Sequence, residues 1–238
     1  LGYQPNILAR SLKKQRTNIV GLYFGYGHLE PHDPFHAEVL TGLQRGCERN
    51  MKDLMIHYSF HRSGIEEIFA ELVGGRLDGL VMIAAPGDPL VGRVKEHGLP
   101  VVAMTDAIEG LPSILADDAG GSRAIAHHLF ERGHRVALYR LCPGASDSAT
   151  RRYLAFCEEA DRLGMRVIEG RTASWKGLVS EAEREVIAKR HANGVTCAVC
   201  WGDPSAHALL IQCREMSISV PGELAIAGFN GIEPPVEP

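Results

Sequence analysis

From Asn18 onward, short apolar runs alternate with longer amphipathic stretches. Residues 19–24, 54–59, 79–83 and 101–104 are brief runs of β-branched or large apolar side chains bounded by polar residues, Gly or Pro, the pattern of buried strands. Between them, Val39, Leu40, Leu43 and Cys47 fall on one helical face, as do Ile65, Ile68, Phe69 and Leu72 behind a Ser63 placed to cap them. The second half repeats the rhythm, with strands expected at 135–141, 165–168, 196–201 and 224–229 and helices near 121–132, 150–163, 180–193 and 204–216. Gly98, Gly133, Gly164 and Gly194 each stand between a helical pattern and a strand, where a left-handed C-cap costs a residue without Cβ least. Alternation of this kind needs right-handed crossovers and a parallel sheet covered on both faces. It is longer than one such sheet commonly uses, so the expected fold class is α/β with two doubly wound parallel-sheet subdomains.

Open α/β sheets bind ligands beyond the carboxyl ends of their strands, which directs attention to residues 25–35, 105–106, 142–152, 171–175, 202–204 and Asn230. Composition narrows the classes. At 238 residues and 45% hydrophobic, the chain can build one large or two modest cores, which excludes disorder. No apolar run approaches the roughly 18 residues of a membrane span, and no signal-peptide pattern opens the chain, so it reads as soluble and cytoplasmic with no membrane partner. Six scattered cysteines read as reduced core thiols. The net charge of −4 hides an asymmetry: residues 1–16 hold Arg10, Lys13, Lys14 and Arg16 and no acid, leaving an acidic body. A basic arm on an acidic body fits a nucleic-acid contact confined to one end, or simply a solvated terminus.

Catalytic chemistry is mostly missing. Gly25-Tyr-Gly-His-Leu-Glu30 lacks the third glycine of a phosphate loop and runs into Pro31 and Pro34. The same prolines prevent the helix that would align His28, His32 and His36 on a metal. Cys197 and Cys200 lie three apart in an expected strand and so point to opposite faces, which favours neither redox chemistry nor joint metal binding. With no nucleophile elbow and no acid/base couple, the expectation is a non-enzyme without cofactor or metal, carrying a small-molecule site of polar residues and a few aromatics.

The opening Leu1-Gly-Tyr-Gln-Pro-Asn-Ile-Leu-Ala-Arg-Ser-Leu12, followed by Arg16-Thr-Asn-Ile-Val-Gly-Leu22, resembles the hinge and first strand of the LacI/GalR family of bacterial transcription regulators. The resemblance continues through Asp33-Pro-Phe35, Leu77-Asp-Gly-Leu80, Asp117 with Gly121, Arg132-Gly-His-Arg135, Arg152 ahead of Phe156, Val220-Pro221 and Gly228-Phe229, covering essentially the whole chain. It implies a hinge helix and linker in residues 1–16, an N-terminal effector-binding subdomain in 17–116 and a C-terminal one in 117–238, periplasmic-binding-protein-like. The family's helix-turn-helix is absent here, and the chain stops before its return crossings, so the sequence reads as a fragment or as part of a longer protein.

The hinge reading has a physical counterpart. Asn6 can cap a helix through Ser11 and Lys13, but about two turns of isolated helix are unstable in water, so order requires a partner copy and DNA. The resemblance implies that Leu12 wedges into a minor-groove base step with Ala9 beside it, while Lys13 lies near phosphates. For the effector it implies Ser146, Ser148 and Arg152 as polar contacts, Trp175 as a stacking surface and Asp203 as the aspartate of an Asn-Asp motif, with Gly202 in place of the asparagine. Asn230 and Gly231 replace a usual Asp-Asp, which puts a typical sugar in doubt. Tyr26 and Phe35 are wall residues, and Thr105 and Asp106 lie where an acidic residue is usual. The expected function is a DNA-binding transcriptional regulator, a repressor, whose core binds a sugar or related polar metabolite and controls operator affinity. Operator DNA, the effector and a second copy in a homodimer are the expected partners. A periplasmic solute-binding protein of the same fold is the alternative, and an enzyme on a doubly wound fold the third.

Overall fold

The computed structural model describes residues 16–26, 33–58, 64–142, 144, 146–174 and 177–232. The chain divides into two compact units, Leu1–Leu115 and Ala116–Pro238. In the first unit the apolar runs become parallel strands β1 (Ile19–Phe24), β2 (Asp53–Tyr58), β3 (Gly79–Ile83) and β4 (Val101–Met104), joined by a two-residue β5 (Ser113–Ile114), in the order β2-β1-β3-β4-β5. Helices α1 (Pro34–Arg49), α2 (Ile65–Val73) and α3 (Pro89–His97) make the crossovers. Alternation along β1 sorts its side chains: Tyr23 joins Ile68, Leu72, Leu90 and Val94 of α2 and α3, whereas Leu22 and Phe24 face Val39, Leu40 and Leu43 of α1. Reversal of strand order between β1 and β3 thus places α1 on one face and α2 with α3 on the other. Leu22, Leu72 and Leu90 are fully buried, each favouring the fold by about 1.5–3 kcal/mol.

The second unit carries parallel strands β6 (Val136–Leu141), β7 (Arg166–Arg171), β8 (Cys197–Cys200) and β9 (Ala225–Ala227) in the order β7-β6-β8-β9. Its helices are α4 (Asp118–Glu131), α5 (Asp147–Arg162), α6 (Glu181–Ala188), α7 (Arg190–Asn193) and α8 (Asp203–Glu215). Ala137, Tyr139, Cys197 and Val199 pack on Phe156 and Ala160 of α5 and Leu129 of α4. Leu138, Ala198 and Cys200 pack instead on Ile187 of α6 and Leu209 and Cys213 of α8. Cys197 and Cys200 therefore face opposite cores, both as free, buried thiols. Burial pushes the Cys197 thiol up to about 12, far from reactive thiolate chemistry.

Gly98, Gly133, Gly164 and Gly194 have positive φ, as their place between helix and strand requires. Helix starts come earlier than the apolar periodicity suggests: the polar caps Asp117 and Ser146 begin α4 and α5, whereas α8 starts at Asp203 behind Gly202, which makes no side-chain cap bond. Other expectations change as well, and the strands expected at 196–201 and 224–229 shorten to Cys197–Cys200 and Ala225–Ala227. The N-cap of α2 is Gly64, which makes no side-chain cap bond, and Ser63 lies outside the described residues. The helix expected at 180–193 breaks at Lys189, which ends α6 and starts α7. The strand expected at 165–168 continues through Arg171, where Glu169 alternates outward to accept from Tyr153. Among the described residues no helix is long and apolar enough to cross a membrane.

Candidate functional site

In the first unit, two expected site residues meet at the carboxyl edge of the sheet. Tyr26, just past β1, donates its hydroxyl to the carboxylate of Asp106, just past β4, and Asp106 is only 1% exposed. Thr105 takes positive φ and its N–H donates to the Ile114 carbonyl at 3.1 Å, which turns the chain so that Asp106 points inward. Phe35 is half-buried in the first turn of α1, where Asp33 caps by accepting from the Phe35 and His36 N–H groups. Nearby, Asp88 accepts from both the Leu90 N–H at 2.8 Å and the Tyr23 hydroxyl at 3.2 Å, tying the start of α3 to β1. His36 packs edge-on against Phe24 with centroids 4.8 Å apart. His28 and His32 lie outside the described residues.

The second unit gathers more. Ser146 caps α5, and its hydroxyl lies 2.8 Å from that of Ser148. One turn on, Arg152 is 8% exposed; its Nε donates to Asp118 Oδ1 at 2.7 Å and its Nη1 to the Trp201 carbonyl at 2.9 Å. Its guanidinium lies 3.8 Å from the Phe229 ring centroid, a cation–π contact in a partly desolvated place. Asp118 is 2% exposed and also accepts from Arg151 Nη2 at 2.7 Å, while Arg151 pairs with Asp147.

Asp203 opens α8, and its backbone N–H donates to the Phe229 carbonyl at 3.0 Å. One carboxylate oxygen, Oδ2, accepts from the Ile232 N–H at 2.7 Å; the other lies 2.1 Å from where a Cβ on Gly228 would stand, so only glycine fits there. Asn230 is exposed with φ 106, beside Gly202. Thus Arg152, Asp203 and Asn230 form one contiguous edge around Phe229, with Ser148 one helical turn from Arg152 and Ser146 at the start of the same helix.

Trp175 and the hinge residues Asn6, Ala9, Leu12 and Lys13 lie outside the described residues. Sequence reasoning missed Asp118, Phe229 and Trp201. The signal for the first was chemical: an arginine on a helix that packs inward needs a buried counter-ion. The indole Nε1 of Trp201 is buried and has no hydrogen-bond partner among the described residues, a condition that costs about 1–3 kcal/mol. A further missed group supports the edge from behind. Arg140, on β6, is fully buried; its Nε donates to Glu183 Oε1 at 2.9 Å, its Nη1 to the Ser205 carbonyl at 2.6 Å and its Nη2 to the Gly177 carbonyl at 2.9 Å. Glu183 in turn completes a capping box with Ser180. One guanidinium thereby fixes the starts of α6 and α8 relative to β6.

Comparison with known proteins places these two units. Residues 28–172 match the model of periplasmic binding proteins and the sugar binding domain of the LacI family, and residues 126–237 match that of the periplasmic binding protein-like domain. The chain is 25% identical over 244 residues to the HTH-type transcriptional repressor PurR of Yersinia pestis bv. Antiqua (strain Antiqua), an alignment covering 98% of this chain and 69% of the relative. Among solved structures, the transcriptional regulator CelR–cellobiose complex aligns with TM-score 0.75 at 23% identity, over 93% of this chain and 72% of that one. The Lac repressor dimer bound to operator and the anti-inducer ONPF aligns with TM-score 0.77 at 18% identity, over 98% and 81%. These structural likenesses concern the fold.

Proposed function

Because the chain belongs to the family of periplasmic binding proteins and LacI-type sugar binding domains, we propose that it is the effector-sensing core of a DNA-binding transcriptional regulator, a repressor. The observation that carries this reading is the edge formed by Ser146, Ser148, Arg152, Asp203 and Asn230 at the strand order reversal between β6 and β8, where open α/β sheets bind small molecules. Tyr26, Phe35, Thr105 and Asp106 supply the corresponding edge of the first unit, and Trp175 a stacking surface. In this reading the protein is cytoplasmic, acts as a homodimer and catalyses nothing. The curated relatives it matches are repressors, which supports regulation over solute transport.

Binding would be coupled to DNA through residues 1–16. Leu12 and Ala9 would enter the minor groove, Asn6 would cap the hinge helix, and Lys13 would neutralise phosphate. An effector shifts operator affinity only by its differential affinity for the DNA-competent and DNA-incompetent states.

The test is a thermal-shift screen against sugars, sugar phosphates, polyols, nucleobases and small carboxylates. A true effector at a hundred times Kd stabilises the folded chain by about 2.7 kcal/mol. Arg152→Lys, which keeps the charge but loses the planar fork, and Trp175→Ala should each weaken the same ligand by about tenfold or more. Absence of stabilisation by every class would refute small-molecule sensing.

A further inference from the structure

The amino end of the first unit's sheet carries a device that the second lacks, and its meaning rests on the DNA contact proposed above for residues 1–16. Asp78 stands immediately before β3, and its N–H donates to the Ile19 carbonyl at 2.8 Å. Its Oδ1 accepts from the Thr17 N–H at 2.6 Å and the Thr17 hydroxyl at 2.9 Å, its Oδ2 from the Asn18 N–H at 3.1 Å and Lys52 Nζ at 3.0 Å. The Thr17 hydroxyl oxygen accepts in turn from the Ile19 N–H at 3.2 Å. The Asn18 carbonyl accepts from the Asp53 N–H at 2.8 Å, so both backbone groups of Asn18 are fixed. Its φ is 60, a left-handed conformation that asparagine tolerates better than most side chains. One carboxylate thus joins the approaches to β1, β2 and β3 and holds a kink where the basic arm meets the sheet.

Starting a strand of this kind does not require such a kink. Val20 pairs with Gly79 in the first sheet as Ala137 pairs with Cys197 in the second, so Thr196 is the counterpart of Asp78, His134 of Thr17 and Arg135 of Asn18. There one side-chain contact, His134 Nδ1 to Thr196 Oγ1 at 2.8 Å, joins the two approaches, and Arg135 does not take positive φ. Strand β6 takes its bearing from α4, which ends only residues 132–135 away. The arm is what precedes β1, so its bearing has to come from the core. Left-handed backbone at a non-glycine residue, held by several partners, accompanies functional junctions.

We propose that Asp78 is a positioning residue for the DNA contact: through Thr17 and Asn18 it sets the direction in which residues 1–16 leave the sheet, without itself touching DNA. The sign of its effect separates this role from plain electrostatics. An acid that acts only by its charge repels phosphate, so neutralising it tightens DNA binding, whereas losing the positioning weakens it.

Fluorescence anisotropy of a labelled random-sequence duplex, titrated with the full chain at several low salt concentrations, tests this. Asp78→Asn and Asn18→Gly should each weaken binding by about three- to tenfold. The slope against log salt should stay that of the parent, because no cation has been removed. Asn18→Gly accepts the positive φ without strain while freeing other directions, so its thermal midpoint should stay close to the parent's and instability cannot stand in for lost positioning. Asp53→Asn removes a carboxylate at the same edge whose side chain is outside the cluster, and should bind as tightly as the parent or more tightly. Unchanged or tighter binding by Asp78→Asn or by Asn18→Gly, or a loss accompanied by a shallower salt slope, overturns the positioning role and leaves the DNA contact standing. Failure of the parent itself to bind the duplex overturns both.

Discussion

The two units reach kindred sheet topologies with different interiors. In the first, the largest fully buried side chains are Leu22, Leu72, Met82 and Leu90, and the ion pairs Lys52–Asp78 and Arg93–Glu66 are solvent-accessible. In the second, Arg140 and Glu183 are both fully buried, and Arg152 with Asp118 nearly so. The difference shows how each positions its loops. Packing alone fixes an element to within what side-chain shape allows, whereas a buried guanidinium with several acceptors fixes direction as well. The second unit uses that device twice, once behind the edge and once within it.

The largest effect that could break this comparison is loss of Glu183. Glu183→Ala leaves Arg140 charged, buried and partly unmatched, and should destabilise the second unit by about 3–5 kcal/mol. Both tryptophans, Trp175 and Trp201, belong to this unit, so fluorescence in urea reports its unfolding. Joint Arg140→Leu and Glu183→Leu should recover much of the loss, since replacing both charges leaves neither stranded. A loss below about 1 kcal/mol for the single change would show that the pair does not organise the edge.

Next in size is Leu72→Ala, which opens a cavity in the apolar core of the first unit and should cost about 3 kcal/mol. Hydrogen exchange should speed up in β1 to β4 and stay unchanged in β6 to β9. Equal acceleration in both would mean that the units unfold as one, and the contrast between their interiors would lose its energetic meaning.

The smallest effect concerns Asp78. Burial works to raise its pKa, but hydrogen bonds from the Thr17 N–H and hydroxyl, Lys52 and the Asn18 N–H prevail and hold it at about 2, below the ordinary 3.8. A depressed carboxyl stabilises fully above its unfolded value and loses that contribution as pH falls through the folded one. The first unit should therefore lose stability between roughly pH 4 and pH 2, by about 1 kcal/mol once solvent screening of the partly exposed carboxylate is allowed for. Asp78→Asn should be less stable than the parent at pH 6 and lose the part of the acid response that Asp78 contributes. An acid response in β1 amides unchanged by the substitution would assign it elsewhere.

Much of the fold was legible because it rests on local rules. Runs such as Gly79–Ile83 and Val101–Met104 announce themselves by composition, and the glycines after the helices by their place in the rhythm. The two-residue β5 is too short to show any period. Arg140 was not legible as an anchor, because a charge inside an apolar strand gains meaning only from Glu183, 43 residues away. The site was partly legible: Arg152 and Ser146 follow from motif, and the Tyr26–Asp106 bond joins two residues each expected there. The roles of Asp118 and Phe229 depend on the sheet bringing distant segments to one edge, which no local pattern encodes.

The opposed thiols of β8 make that strand a reporter with two channels. Cys197 looks into the layer of α4 and α5, Cys200 into that of α6 and α8, and neither is reactive while the unit is closed. A small alkylating reagent that reaches only the first has found the α4–α5 layer lifted, and one that reaches only the second has found the other. The order in which the two are labelled therefore reads out which side of the sheet breathes first, using residues the chain already carries.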